Sequence, residues 1–521
     1  MSTAFRRWSL RLTALLALAI VVMLGFRIYY ALQPPLLEPW HTYVPKELDA
    51  DALDHTDWNA YVKDEERIFE DMRAAMRAKI GPEAKTPSNR YFEGSPVFPG
   101  HFARDWNRSY ELLPEGTPVG AVVLLHGLTD SPYSLRNVAR SYRDHGYVVV
   151  AIRLPGHGTV PAGLTNVTWQ QWTAATRLAV REARAHINPA QPLHVVGFSN
   201  GGALAVQYAL NAVEDPNLTP PNRLVLLSPM IGITRFARFA GVMGLPALLP
   251  AFDKASWLGI VPEFNPFKYN SFPVNAARES FRLTQVVQSQ ITRLAQSGHL
   301  NQMPPVLTFQ SVIDFTVSTP AILTALYSQL PANGSEIVLF DVNHAITVNS
   351  MLNASALSAL TRLLPTPPLR YRITVITNAT GADGMVQRVL EPGDSQWNVR
   401  PLELRYPPKM FSLSHVAVPF PMSDPLYGME PEPTEDFGVQ LGVLAPRAER
   451  GALMISMDAL FRSSSNPFFP YMIERIEDNI DGHVTATTLG DTVTHEPYVS
   501  APQSTETPYE DADDSAFNVE P

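Results

Sequence analysis

The sequence predicts an α/β protein: a mostly parallel sheet covered by helices on both faces, with its reactive groups at the carboxyl ends of the strands. Three observations predict it. From about residue 118 to 345, short β-rich apolar runs alternate with helical stretches. The runs lack the in-and-out alternation of a half-exposed strand, so both faces of the sheet should be covered. One run, LHVV, passes through GFSNGG into the helix-like NGGALAVQYALNAV, which sets Ser199 at a strand-to-helix turn.

Composition narrows the function before any motif is read. The chain has 521 residues, 45% hydrophobic and 17% charged, enough for a substantial core. Its net charge is −10 and it has no basic tract, which argues against nucleic acid as a partner. It has no cysteine, so disulfides, thiolate catalysis and cysteine metal sites are excluded.

Taken in order, the chain begins with Arg6, Arg7 and Arg11 ahead of an uncharged run over residues 12–26. Arg27, Tyr29 and Tyr30 follow and would sit at an interface. Residues 1–35 therefore read as an uncleaved signal anchor, a transmembrane helix that places the rest on the exported side of a membrane. A cleaved signal peptide is the other reading. Residues 36–90 read as a Pro-rich linker and an amphipathic helix over 57–80, where Ile68, Phe69, Met72, Met76 and Ile80 recur at helical spacing.

An α/β core is expected over 91–366, with strands at 121–125, 148–152, 193–196, 224–227, 306–310 and 336–340. The alternation breaks once, at about 229–303. An insertion leaving a strand's carboxyl end would lie over the site as a lid. Residues 367–485 read as a C-terminal extension, with strands at YRITVITN and LELRYPP and a closing helix near PFFPYMIERIEDNI. Residues 486–521 read as a disordered acidic tail.

A serine in this turn can be a nucleophile. Gly197 and Gly201 leave room where a side chain would meet the neighbouring strand and helix, and the helix start supplies partial positive charge. Backbone N–H groups should hold the oxyanion: that of Asn200, after the serine, and that of Leu128, in the loop HGLTDSPYS. His126 and His157 read as loop-bracing residues.

LLHGLTDSP, RLPGHG and GFSNGG, in that order and spacing, resemble the α/β-hydrolase superfamily. They most resemble its carboxylesterase and monoacylglycerol-lipase-like branch, over about residues 95–345. The resemblance implies an eight-stranded, mostly parallel sheet and a triad in the chain order Ser, acid, His.

The acid is expected in the turn of PPVLTFQSVIDFTVS, at Asp314, with Asp341 as the alternative. Two histidines compete for the base. His344 ends the strand of SEIVLFDVNHAITVN, 30 residues past Asp314, and fits the superfamily spacing. His415 lies in KMFSLSHVAVPFPMSDPLYG, among small and apolar residues that suit a positioned base. Its SLSHVAVP segment resembles one carried by exported hydrolases with a long C-terminal extension. His415 is preferred, and His344 stays open.

The expected protein is a membrane-anchored, exported serine hydrolase that cleaves small-molecule or lipid carboxylic esters through an acyl-enzyme. Neither cofactor nor metal is called for. A lipophilic substrate is suggested by Phe236, Phe239, Met243, Leu245, Leu248 and Leu249 of the lid. Alternatives are a serine peptidase, thioesterase or acyltransferase on the same fold, or an inactive hydrolase-fold scaffold at the membrane.

Overall fold

The apolar runs become strands whose alternate residues feed two separate cores. Along Gly120–Leu125, Ala121, Val123 and Leu125 enter one core while Val122 and Leu124 enter the other. Tyr147–Ile152 divides in the same way, with Val148, Val150 and Ile152 on one side and Val149 and Ala151 on the other. Continuous hydrophobicity is thus the requirement of a sheet packed on both faces.

The computed structural model describes residues 35–232, 256–345, 352–379, 384–408, 410–444, 462–481 and 494–497, with a few isolated positions besides. Strands are numbered in chain order. β1 is Tyr110–Leu112, β2 Gly120–Leu125, β3 Tyr147–Ile152, β4 Leu193–Phe198 and β5 Arg223–Leu227. A small separate pair follows, β6 Trp257–Gly259 and β7 Phe272–Pro273. β8 is Val306–Ser311, β9 Glu336–Phe340, β10 Arg372–Asn378, β11 Met385–Leu390, β12 Gln396–Leu402 and β13 Thr494–Pro497. The longer helices are α1 Trp58–Lys79, α2 Arg136–Asp144, α3 Trp169–Ala185, α4 Asn200–Glu214, α5 Val274–Gln296 and α6 Phe469–Asp481.

The main sheet is 11-stranded, in the order β1-β3-β2-β4-β5-β8-β9-β10-β11-β12-β13. The expectation of eight mostly parallel strands is corrected to this larger mixed sheet. From β3 to β10 every neighbour is parallel. β1 is antiparallel at one edge, and β11, β12 and β13 form an antiparallel meander at the other. The extra strands come from the extension: Arg372–Asn378 pairs with Glu336–Phe340 in continuous register, so the region after 367 prolongs the sheet. Thr494–Pro497, within the expected acidic tail, pairs with Gln396–Leu402; the rest of that tail lies outside the described residues.

The expected membrane anchor is also corrected, and with it the single-pass membrane location and the membrane as partner. Among the described residues no helix is long and apolar enough to cross a membrane. The physical reason lies in the run over 12–26: 15 residues rise about 22 Å as a helix, short of the ~30 Å of a bilayer core. Most of residues 1–35 lie outside the described residues.

Buried charges tie the flanking segments to the sheet. Arg153, fully buried after β3, donates to Glu65 Oε2 of α1 at 2.9 Å and to Glu47 Oε1 and Oε2 at 2.8 and 3.0 Å. Glu65 accepts further from the Ser109 amide and hydroxyl. In the extension, buried Asp424 accepts from Tyr133, Arg136 and Asn137, at the start of α2 and just before it. Of the expected lid, the apolar stretch holding Phe236 to Leu249 lies outside the described residues. Its described remainder includes the β6–β7 pair and α5, which packs along α4.

Candidate active site

Ser199 sits between the last residue of β4 and the first of α4, at φ 55° and ψ −115°. A side chain in that region is strained by about 1–3 kcal/mol, held here because its surroundings leave no other path. The Ser199 amide donates to Leu227 O of β5 at 2.9 Å, and its carbonyl accepts from Met230 N at 2.9 Å. The glycines around it are forced. A Cβ on Gly201 would lie 1.9 Å from Leu125 O, and one on Gly197 2.3 Å from Gly201 O.

Three of the expected residues come together here from three distant parts of the chain. The Ser199 hydroxyl donates to His415 Nε2 at 3.0 Å, and His415 Nδ1–H donates to Asp314 Oδ2 at 2.8 Å. Asp314 follows β8 in the described turn, where its other oxygen accepts from the amides of Thr316 and Val317. Burial alone would raise its pKa. The adjacent His415 and those amides outweigh burial and hold the carboxyl below its ordinary range.

His415 is held from several sides. The Ser414 amide donates to Ser463 Oγ at 2.9 Å, and the Ser414 hydroxyl donates to Ser463 O. Asn343 donates to Phe411 O from its amide (2.8 Å) and to Met410 O from its side chain (3.0 Å). The Phe198 ring lies 5.3 Å from the imidazole, centroid to centroid.

His344 is engaged elsewhere. Its Nε2–H donates to Asp341 Oδ2 at 3.0 Å, and Asp341 accepts there from Thr377 as well. The Asp341 hydrogen bond raises the His344 pKa against partial burial. Its stabilisation is therefore full below the ordinary histidine value and fades as pH rises through the folded value. His344→Ala should accordingly lower the melting temperature more at pH 5 than at pH 9. Thermal melts of both proteins at the two pH values check this.

The loop carrying Leu128 abuts the serine: a Cβ on Gly127 would lie 3.3 Å from Ser199 Cβ. Among the described residues the amides of Leu128 and Asn200 have no acceptor. His126 donates from Nδ1 to Gly127 O and accepts the Leu154 amide at Nε2, joining this loop to the one after β3. Burial holds it neutral, and it pushes His157, which donates to Pro155 O, down to about 3. Both brace loops.

A serine, an imidazole and a carboxylate linked in this way, beside two free amides, occur here at the parallel centre of a mixed sheet. The serine aminopeptidase S33 family profile matches residues 116–342. The chain is a serine hydrolase of the α/β-hydrolase fold.

The hydrolase is 28% identical over 225 residues to the thermostable monoacylglycerol lipase of Bacillus sp. (strain H-257), covering 43% of this chain and 81% of that one. Among solved structures, one described with the metagenome-derived lipolytic enzymes LipS and LipT shares 24% identity, at a TM-score of 0.35, over 46% of this chain and 88% of that one. The monoacylglycerol lipase of Paleococcus ferrophilus shares 19% identity, at a TM-score of 0.33, over 45% and 88%. The family match ends at residue 342, short of both His344 and His415.

Elsewhere in the hydrolase, Glu111, Glu182 and His186 bring donor atoms within 4.8 Å of one another. His186 Nε2–H is shared between the two carboxylates at 3.1 Å each, a hydrogen-bonded group on β1 and at the end of α3. It contains none of the expected site residues. Sequence reasoning missed Asn343 and Ser463, which hold the His415 segment. Neither belongs to a local pattern, since each acts on backbone more than 45 residues away.

Proposed function

We propose that this hydrolase cleaves carboxylic esters with Ser199 as nucleophile, His415 as base and Asp314 as its orienting acid. The observation that carries the reading is the imidazole bonded to Ser199 Oγ on one side and to Asp314 on the other. His415 takes the hydroxyl proton as Ser199 Oγ attacks the ester carbonyl. The amides of Leu128 and Asn200 receive the negative charge that develops on the carbonyl oxygen. His415 then passes its proton to the departing alcohol, and water repeats the sequence to release the acid. Asp314 stays ionised throughout and stabilises the imidazolium.

The relative named a monoacylglycerol lipase supports an ester substrate, and the family's description supports a peptidase. The ester is the reading taken here, on the likeness to the lipase. Hydrolysis of a short-chain p-nitrophenyl ester by the parent, and its loss in Ser199→Ala, is the expected result. Turnover surviving in Ser199→Ala would remove the serine from the reaction.

A further inference from the structure

The part of the insertion that returns to the core crosses the loop carrying Leu128. The Tyr269 amide donates to Thr129 O at 2.7 Å, and Phe267 stacks on Tyr133 at 4.2 Å between centroids. Phe267 and Tyr269 are both buried, whereas Lys268 between them keeps partial exposure. The Lys268 ammonium has no hydrogen bond and no ion pair among the described residues.

Its surroundings make this costly. Burial pulls the Lys268 pKa down, and the nearby carboxyl of Asp130 counters this without ion-pair contact. Asp130 is itself buried and accepts the Ser131 amide at 2.9 Å. Lys268 therefore sits against the loop of Leu128 and Thr129, half-buried and with no partner for its ammonium among the described residues.

A second cation stands nearby. Exposed Arg462 donates from Nη2 to Thr316 Oγ1 at 3.1 Å, and the Thr316 amide donates to Asp314 Oδ1 at 2.8 Å. The charge of Arg462 adds to the downward pull of burial on the Lys268 pKa. The chain carries a net charge of −10, so two neighbouring cations beside the site are not part of a generally basic surface. A partly desolvated cation without a partner is unfavourable until an anion arrives.

We propose that Lys268 and Arg462 form an anion-binding subsite at the mouth of the Ser199 site, and that the substrates are esters bearing a carboxylate. The subsite rests on the esterase reading above and specifies its substrate class. The carboxylate accepts from Lys268 Nζ while the ester carbonyl meets Ser199. Arg462 adds longer-range attraction.

Monoethyl adipate and ethyl hexanoate test this, because they share a chain length and differ in the terminal carboxylate. The quantity read is the ratio of kcat/KM for the first ester to that for the second. Lys268→Met should lower the ratio by roughly tenfold or more, the worth of a hydrogen bond to a charged group. Lys268→Glu should lower it further, and Lys268→Arg, which keeps the charge, should stay near the parent. Added salt should narrow the parent's preference. A parent active on ethyl hexanoate whose ratio is unmoved by Lys268→Met and Lys268→Glu overturns the subsite alone. A parent that cleaves neither ester overturns the esterase reading, and the subsite with it.

Discussion

His415→Ala is expected to lower kcat for ester hydrolysis by about 10⁴- to 10⁶-fold, with the protein still folded. His344→Ala is expected to leave kcat within about tenfold of the parent. The reasoning is geometric. A general base must reach the proton it removes, and His415 Nε2 lies 3.0 Å from Ser199 Oγ. His344 spends its Nε2–H on Asp341, 3.0 Å away. Steady-state kinetics on both variants, with circular dichroism to monitor folding, separates the two. A collapse of kcat in His344→Ala with an unaffected His415→Ala would reverse the assignment.

The second large effect is on stability. Arg153→Met should destabilise the protein by about 3–5 kcal/mol, the usual cost of stranding a buried charge. Arg153 is fully buried and holds two carboxylates, Glu65 of α1 and Glu47 ahead of it. Without the guanidinium, Glu65 must keep an unpaired charge in the interior or take up a proton. Glu47 also loses its grip on the loop after β3, where it accepts the Gly156 amide at 2.9 Å. Adding Glu65→Gln should recover part of the loss, because it removes the stranded charge. Chemical denaturation of the single and double variants measures it. Equal losses in both would show that Glu65 is not the group left stranded.

Much of the sheet was legible because its strands are buried on both faces and so read as unbroken apolar runs. The central six fall where the sequence placed them, within two residues at their ends. The edges were harder. β1 has three residues, and β11, MVQRVL, mixes buried and half-buried positions and sets Gln387 and Arg388 among its apolar residues. β12 is Gln396–Leu402, ahead of the LELRYPP stretch expected to form a strand. The apolar run at 12–26 misled for another reason: hydrophobicity is local, whereas spanning a bilayer is a matter of length.

Within the site, the turn around Ser199 was readable because GFSNGG is a local device whose glycines answer to steric contacts. The choice between His344 and His415 was not readable from spacing. It depends on Asn343 and Ser463 holding a segment that returns to the sheet from far along the chain. Lys268 was passed over for the same reason. Its significance lies in what surrounds it, and nothing in KYNS hints at a neighbouring Asp130 or Arg462.

The most direct test of the central claim is the rate at which a fluorophosphonate labels the protein, with the modified residue located by peptide mass spectrometry. The account predicts fast labelling of the parent at Ser199, near-parental labelling of His344→Ala, and labelling of folded His415→Ala slowed by orders of magnitude. Rapid labelling of His415→Ala at Ser199, or a label on another residue in the parent, would contradict it.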